Sequence, residues 1–379
     1  MPDLVAVALP GGPTFVEELE RAWDAGDAVL PLDPALPAPQ LDLLLERMAP
    51  ARVVTAEGVT DRPGGIPVEP GDALVVTTSG TTGEPKGAVL THAAVEYAAF
   101  ASATALGVAT DVCWLACLPL SHVGGLSVVT RALHTGVGLE VVPRAEPTVI
   151  DRAARDGATH VSLVPTVLRR IDPAPWRTIL LGGSAVPEDR PPNTVATYGM
   201  TESFGGVVYD GLALNGVSLR IAGPAGAPAD EPGPIELRSP TLLRAYRDGT
   251  DPLAAHGGWF RTGDLGTLDP STGRLRVAGR ADDLIITGGE KVWPSVVEDA
   301  LAGHPRVLAV AVAGRPDPEW GDRVVAWVVA ADPSTPPTLE DVRAWVKERL
   351  PAAAAPRELV LVDSLPRTSL GKIVRGRLE

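Results

Sequence analysis

Residues 73–87 read ALVVTTSGTTGEPKG. Ala73–Thr78 is apolar or β-branched at every position, the pattern of a short strand covered on both faces, as in a parallel sheet. The segment Thr78–Gly87 (TSGTTGEPKG) follows at once. Its small residues let backbone N–H groups and hydroxyls converge on an anion, which is what cradling a polyphosphate requires. The P-loop template G-x-x-x-x-G-K-[ST] fails, because the lysine follows Pro85 and precedes Gly87. The chain has four lysines, Lys86, Lys291, Lys347 and Lys372, so one inside this loop is hard to assign to chance. The alternative is a plain flexible Gly/Thr loop.

Outward from that segment, strand-like and helix-like stretches alternate. Short strands are expected at 114–118, 138–142, 160–164, 178–181 and 194–197, with helices from about Thr91 past Phe100 and over 149–156 and 166–171. This alternation predicts α/β layers. The first seventy residues read as helix, turn, helix, with apolar spacing over 15–23 and 41–48 around a Pro-rich connection. From Val207 to Val277 the pattern turns to β. After Gly279–Asp283 (GRADD), a polar hinge-like stretch, comes an α+β module: strand 284–287, helix 294–302, strands 307–312 and 324–329, helix 339–349, strand 358–362. The predicted architecture is α/β, with a large N-terminal domain (1–279) of layered α/β and β-rich subdomains. A hinge (280–282) and a small mobile α+β C-terminal domain (283–379) complete it.

Composition bounds the function. The 379 residues carry 33 Lys+Arg against 47 Asp+Glu, a net charge of −14, without basic blocks. That disfavours non-specific nucleic-acid binding and anionic membrane surfaces, so any phosphate must be held by a local site. Cys113 and Cys117 are too few for a disulfide framework or a structural zinc site. No apolar run reaches membrane-spanning length, and the first thirty residues lack the basic start and apolar core of a signal peptide. A cytoplasmic protein with no membrane insertion and no nucleic-acid partner is expected; self-association is left open.

Five segments, in order, resemble the motifs of the adenylate-forming superfamily, which includes acyl- and aryl-CoA ligases. They are the decapeptide Thr78–Gly87, Tyr198–Glu202 (YGMTE), Trp259–Asp264 (WFRTGD), the hinge Gly279–Asp283, and Pro366–Lys372 (PRTSLGK). Within the superfamily, GGLSVVTRAL, YGMTESFGGVVYDG and GGEKVWPSVVE are most similar to the o-succinylbenzoate–CoA ligases of menaquinone biosynthesis. The front departs from full-length relatives, because the phosphate loop begins after 77 residues. A missing or compressed first subdomain is therefore expected.

The resemblance implies roles. Thr78, Ser79, Gly80, Thr81, Thr82, Gly83 and Lys86 would hold the β- and γ-phosphates of ATP. Thr201 would bind the α-phosphate, and Glu202 would ligate Mg²⁺, a hard cation that prefers oxygen. Gly182, Gly183, Ser184, Ala185, Tyr198 and Gly199 would enclose the adenine. Asp264 would grip the ribose diol, with Arg280 close to it. Lys372 would be the catalytic lysine, a positioned cation stabilising the adenylation transition state. Asp282 would be the hinge residue, and the turn containing Gly288 and Gly289 would either line a coenzyme A tunnel or be a plain turn. His122 would gate the carboxylate site, with Gly124 and Gly125 making room for substrate.

Helical spacing adds a reading of the acid. In a helix after His122, Gly124, Val128 and Arg131 share a face, so Arg131 would meet a second carboxylate on the substrate. The alternative is that Arg131 caps or salt-bridges the helix at the surface. The expected activity is ATP-dependent carboxylate–CoA ligation through an acyl-adenylate, with ATP, Mg²⁺ and coenzyme A required and o-succinylbenzoate as the acid. Another aryl or fatty acid, delivery to a carrier protein, or a degenerate non-catalytic binding subunit are the alternatives.

Overall fold

The computed structural model of the chain describes residues 1–79, 85–223, 231–367 and 373–378. The predicted α/β class is borne out. A seven-stranded sheet runs in the order Ala245–Tyr246, Pro85–Thr91, Asp72–Ser79, Ala28–Pro31, Leu4–Val7, Arg52–Thr55, Gly58–Asp61. Its three central pairings, Asp72–Ser79/Ala28–Pro31, Ala28–Pro31/Leu4–Val7 and Leu4–Val7/Arg52–Thr55, are parallel, closed on the outside by antiparallel partners.

The helix–turn–helix reading of the first seventy residues is thereby corrected. Both helices exist, at Pro13–Asp24 and Ala38–Met48, but four strands interleave with them. Each of those strands is only four residues long, too short for alternation to be read, and Leu4–Val7 and Ala28–Pro31 are buried at every position. The helix Pro13–Asp24 buries Phe15, Leu19 and Ala22, one helical face. Leu4, Ala6, Leu30, Leu45, Met48, Val75 and Val89 form one core around the sheet.

A second seven-stranded sheet has the order Leu212–Ala213, Gly205–Tyr209, Thr194–Met200, Thr178–Leu181, His160–Leu163, Cys113–Ala116, Gly138–Val141. It is parallel from Thr194–Met200 onward, and its first two strands are antiparallel additions. Helix His92–Leu106 begins at Thr91, whose hydroxyl accepts from the Ala94 N–H at 3.2 Å, and ends at left-handed Gly107. It packs against helix Val123–Thr135. A four-stranded sheet follows: Ser218–Ile221, Gly233–Arg238, Phe260–Leu268, Leu275–Arg280.

The C-terminal module has a sheet of Glu290–Val292, Ile285–Thr287, Gly321–Ala330 and Val307–Asp317, with Glu358–Leu361 added parallel to Gly321–Ala330. Helices Pro294–Ala302 and Leu339–Lys347 cover one face; Val297, Leu301, Val342 and Val346 are buried there against Val312, Val324 and Val328. Trp327, Val325 and Leu365 form the other face. By contact density the chain makes two compact units. One is Met1–Arg220 with Glu236–Phe260 and Ser271–Leu275; the other is Ile221–Ile235 with Arg261–Pro270 and Arg276–Glu379. Among the described residues, no helix is long and apolar enough to cross a membrane.

Candidate active site

Lys86 lies on a strand, not in a loop. Pro85–Thr91 pairs antiparallel with Asp72–Ser79, and the register sets Thr78 opposite Lys86. The Lys86 Nζ lies 5.1 Å from the centre of the Tyr246 ring, within cation–π range. The Tyr246 hydroxyl donates to Glu202 Oε1 at 3.0 Å. Burial, and then the neighbouring Glu202 carboxylate, push the Tyr246 pKa up, so it stays a donor. Thus Lys86 and Glu202 touch two parts of one aromatic residue. Arg47, Met48, Gly87, Arg247 and Asp248 line a cavity with Lys86 and Tyr246.

Glu202 sits in the short 3-10 turn Thr201–Ser203, held by the Leu243 N–H donating to its carbonyl at 2.8 Å. Mg²⁺ is usually bound by one or two carboxylates together with substrate phosphates. Among the described residues no group of three or more His, Cys, Asp or Glu could form an all-protein cage. One oriented carboxylate beside a cationic lysine fits the shared mode. Tyr246 had no signal in the sequence, since it stands 44 residues from Glu202 and meets the site only through its pairing with Ala88.

The glycines around Tyr198 answer to the backbone. A Cβ on Gly182 would stand 2.5 Å from Thr197 Oγ1, and one on Gly199 only 1.8 Å from the Gly205 carbonyl oxygen. Gly199 lies at a bulge where Thr194–Met200 pairs with Gly205–Tyr209, beside Tyr198. Gly183 is left-handed at φ 80° and leads into Ser184 and Ala185. Gly80, Thr81, Thr82, Gly83 and Lys372 lie outside the described residues, as does the side chain of Ser79.

His122 caps helix Val123–Thr135, and burial lowers its pKa against an opposing pull from Asp33. Gly125 does not make room for substrate. Its Cβ would fall 2.3 Å from the Leu118 carbonyl oxygen, so the chain's own backbone takes that space. Gly124 is looser, with only Leu118 Cδ1 near, at 3.4 Å. Val128 is buried. The face carrying Arg131 is displaced from the one expected: Ser127, Thr130 and Arg131 line a cleft with Ala98, Ala99, Ser102, Phe204 and Gly206, and neither Gly124 nor Val128 is among them. Ser127 and Arg131 are four residues apart, which stacks them on one helix face. The surface alternative for Arg131 is also excluded, for the residue is only 5% exposed.

In the second unit, Asp264 and Arg280 come together, with Arg280 Nη1 at 3.5 Å from Asp264 Oδ1 and donating to the Thr262 carbonyl at 3.2 Å. Asp282 is exposed in the short turn Ala281–Asp283, and Arg280 Nη2 stands 3.8 Å from it. Gly288 and Gly289 have φ 59° and 85° and join Ile285–Thr287 to Glu290–Val292, a two-residue hairpin turn that needs positive φ at both positions. The turn geometry alone accounts for both glycines. Arg375 donates to both Glu298 oxygens at 2.7 and 2.8 Å, to Asp283 and to the Val312 carbonyl. Arg367 and Ile373 pair across the tail.

The model of the AMP-binding enzyme family matches residues 62–247, and that of the AMP-binding enzyme C-terminal domain matches residues 296–372. A probable 2-succinylbenzoate–CoA ligase of Mycobacterium tuberculosis is 42% identical over 331 residues, covering 81% of this chain and 83% of that one. The chain belongs to the AMP-binding enzymes. A second member, feruloyl-CoA synthase of an Amycolatopsis species, is 32% identical over 435 aligned positions, covering all of this chain and 88% of that one. Among solved structures, the chain is similar to o-succinylbenzoate CoA synthetase of Bacillus subtilis in complex with the acyl-adenylate intermediate OSB-AMP. The TM-score is 0.88 at 27% identity, over 100% of this chain and 88% of that one.

Proposed function

We propose that this AMP-binding enzyme is an ATP-dependent acid–thiol ligase that joins o-succinylbenzoate to coenzyme A. A substrate carboxylate oxygen attacks the α-phosphorus of ATP, pyrophosphate leaves, and the acyl-adenylate then passes its acyl group to the coenzyme A thiol with release of AMP. The observation that carries the reading is Lys86 and Glu202 meeting at Tyr246, a cation and an oriented carboxylate beside one cavity. Lys86, with Thr78 opposite it, binds the departing phosphates. Glu202 holds Mg²⁺, which neutralises phosphate charge when bound. His122 and Thr201 face the reacting carboxylate and α-phosphate, and Asp264 with Arg280 takes the ribose.

Gly182–Ala185 and Tyr198 enclose the base. The large domain ends at 279 and the small one begins at 283, with 280–282 as the hinge and Asp282 its pivot, and Lys372 serves the first half-reaction alone. The need for ATP and coenzyme A supports a cytoplasmic location. The likeness to a probable 2-succinylbenzoate–CoA ligase supports the acid; the likeness to feruloyl-CoA synthase favours an aromatic monoacid as the second reading. ATP–pyrophosphate exchange over o-succinylbenzoate, hydroxycinnamates and fatty acids, followed by acyl-CoA detection, tests both. Exchange with o-succinylbenzoate and a CoA thioester product is expected. Exchange without thioester would move the acceptor to a carrier protein, and no exchange with any acid would remove the ligase reading.

A further inference from the structure

We propose that Arg375 is a positioning residue for adenylation that acts through Lys372: its guanidinium clamps the base of the Lys372-bearing tail to the hinge turn and to helix Pro294–Ala302. The inference rests on the ligase reading above and adds what holds its lysine in place.

The first support is where the tail closes. Arg367 and Ile373 pair in antiparallel sense, and the Val374 N–H donates to the Pro366 carbonyl at 2.9 Å. The residues flanking 368–372 are thereby fixed side by side, and Lys372 is bonded directly to Ile373. Leu365 is buried with Ala311, Val325 and Trp327, and Ile373 and Leu378 pack on the same cluster. That apolar seat holds the tail against the sheet. It does not fix the tail's position along the sheet, because apolar contact is non-directional.

The second support is the group that supplies direction. Arg375 commits every nitrogen of its guanidinium within the module. Nη2 donates to both Glu298 oxygens, Nη1 to Asp283 Oδ2 at 3.2 Å, and Nε to the Val312 carbonyl at 3.0 Å. Glu298 is itself held, since its Oε1 accepts from the Val312 N–H at 2.8 Å. The Arg375 and Glu298 side chains are only 20% and 16% exposed, so salt screens the pair weakly. Burial pushes the Glu298 pKa up and Arg375 pulls it back, so the carboxylate depends on this cation for its charge. Asp283 closes the turn Ala281–Asp283 and follows Asp282, the proposed pivot. One rigid, planar fork thus ties tail, helix and hinge turn together. The precision matters because a displacement of about 1 Å, caused far from the chemistry, can slow a reaction on the order of 100-fold.

The test uses the whole enzyme and follows the two half-reactions separately, with o-succinylbenzoate and ATP for the first and synthetic o-succinylbenzoyl-AMP for the second. Arg375→Met should lower the maximal rate of pyrophosphate exchange at least about tenfold, with half-saturation for ATP and acid within about threefold of wild type. Thioester formation from o-succinylbenzoyl-AMP and coenzyme A should stay within about threefold. Added to Lys372→Ala, Arg375→Met should cost no more than about a further twofold, because the group it positions is already gone. If Arg375→Met does not fold, pairing it with Glu298→Gln removes the cation without stranding a buried carboxylate, and the same split is expected. Equal loss in both half-reactions, or exchange that falls less than about tenfold, overturns the proposal and leaves the ligase reading standing. A full further tenfold loss, roughly, in the Lys372→Ala background overturns it as well. No exchange by the wild type with any acid defeats the ligase reading, and the proposal with it.

Discussion

Tyr246 shows what a single side chain adds to a site otherwise spelled out in short motifs. Lys86 and Glu202 are legible because each sits inside a contiguous string whose chemistry has a local reason. Tyr246 belongs to no such string, and only its strand pairing with Ala88 brings it beneath Lys86 and against Glu202. Tyr246→Phe keeps the ring and removes the hydroxyl. A hydrogen bond to a charged group is worth about 1.5–3 kcal/mol, so the Mg²⁺ concentration for half-maximal pyrophosphate exchange should rise roughly tenfold or more. The melting temperature should hardly move. An unchanged Mg²⁺ requirement would mean that Glu202 is oriented without Tyr246. Arg131 was half legible: helical spacing puts it on one face with Ser127, but Ser102 and Tyr209, which share a hydrogen bond near it, come from two other elements that spacing cannot align.

Among elements, the hairpin Thr194–Met200/Gly205–Tyr209 bears the tightest backbone contact, where a Cβ on Gly199 would meet the Gly205 carbonyl at 1.8 Å. Gly199→Ala must push the two strands apart, and we expect a loss of about 2 kcal/mol or more in urea unfolding, with exchange activity lost in parallel. Gly124→Ala is the contrast. Only the end of a Leu118 side chain lies near, and alanine is the better helix former, so stability should stay within about 1 kcal/mol of wild type. If Gly199→Ala proved as harmless, the close approach would be relaxed in solution. Elements with capping residues or a full helical face were readable from sequence, as Thr91 and Thr338 show. The strands Leu4–Val7 and Ala28–Pro31 were not, because four wholly buried residues carry no period.

For the molecule as a whole, the α/β class and the separate C-terminal α+β module followed from composition shifts and the order of motifs, while the pairing order of the sheets did not, since it depends on long-range contacts. Lys372→Ala should slow adenylation by roughly 100–1000-fold and spare thioester formation from a pre-made acyl-adenylate, as expected of a cation serving one transition state. Equal damage to both half-reactions would contradict that division of labour. The C-terminal module also has an interior of its own, from Ile285 and Val297 to Val346 and Ala355, lined by residues of that module alone. A chain with separate apolar interiors need not melt as one body. Calorimetry should resolve two transitions, and a dye-based thermal-shift screen would follow the weaker one. A ligand gripped only by the sturdier unit would then leave the first midpoint where it was, and read as a compound that does not bind.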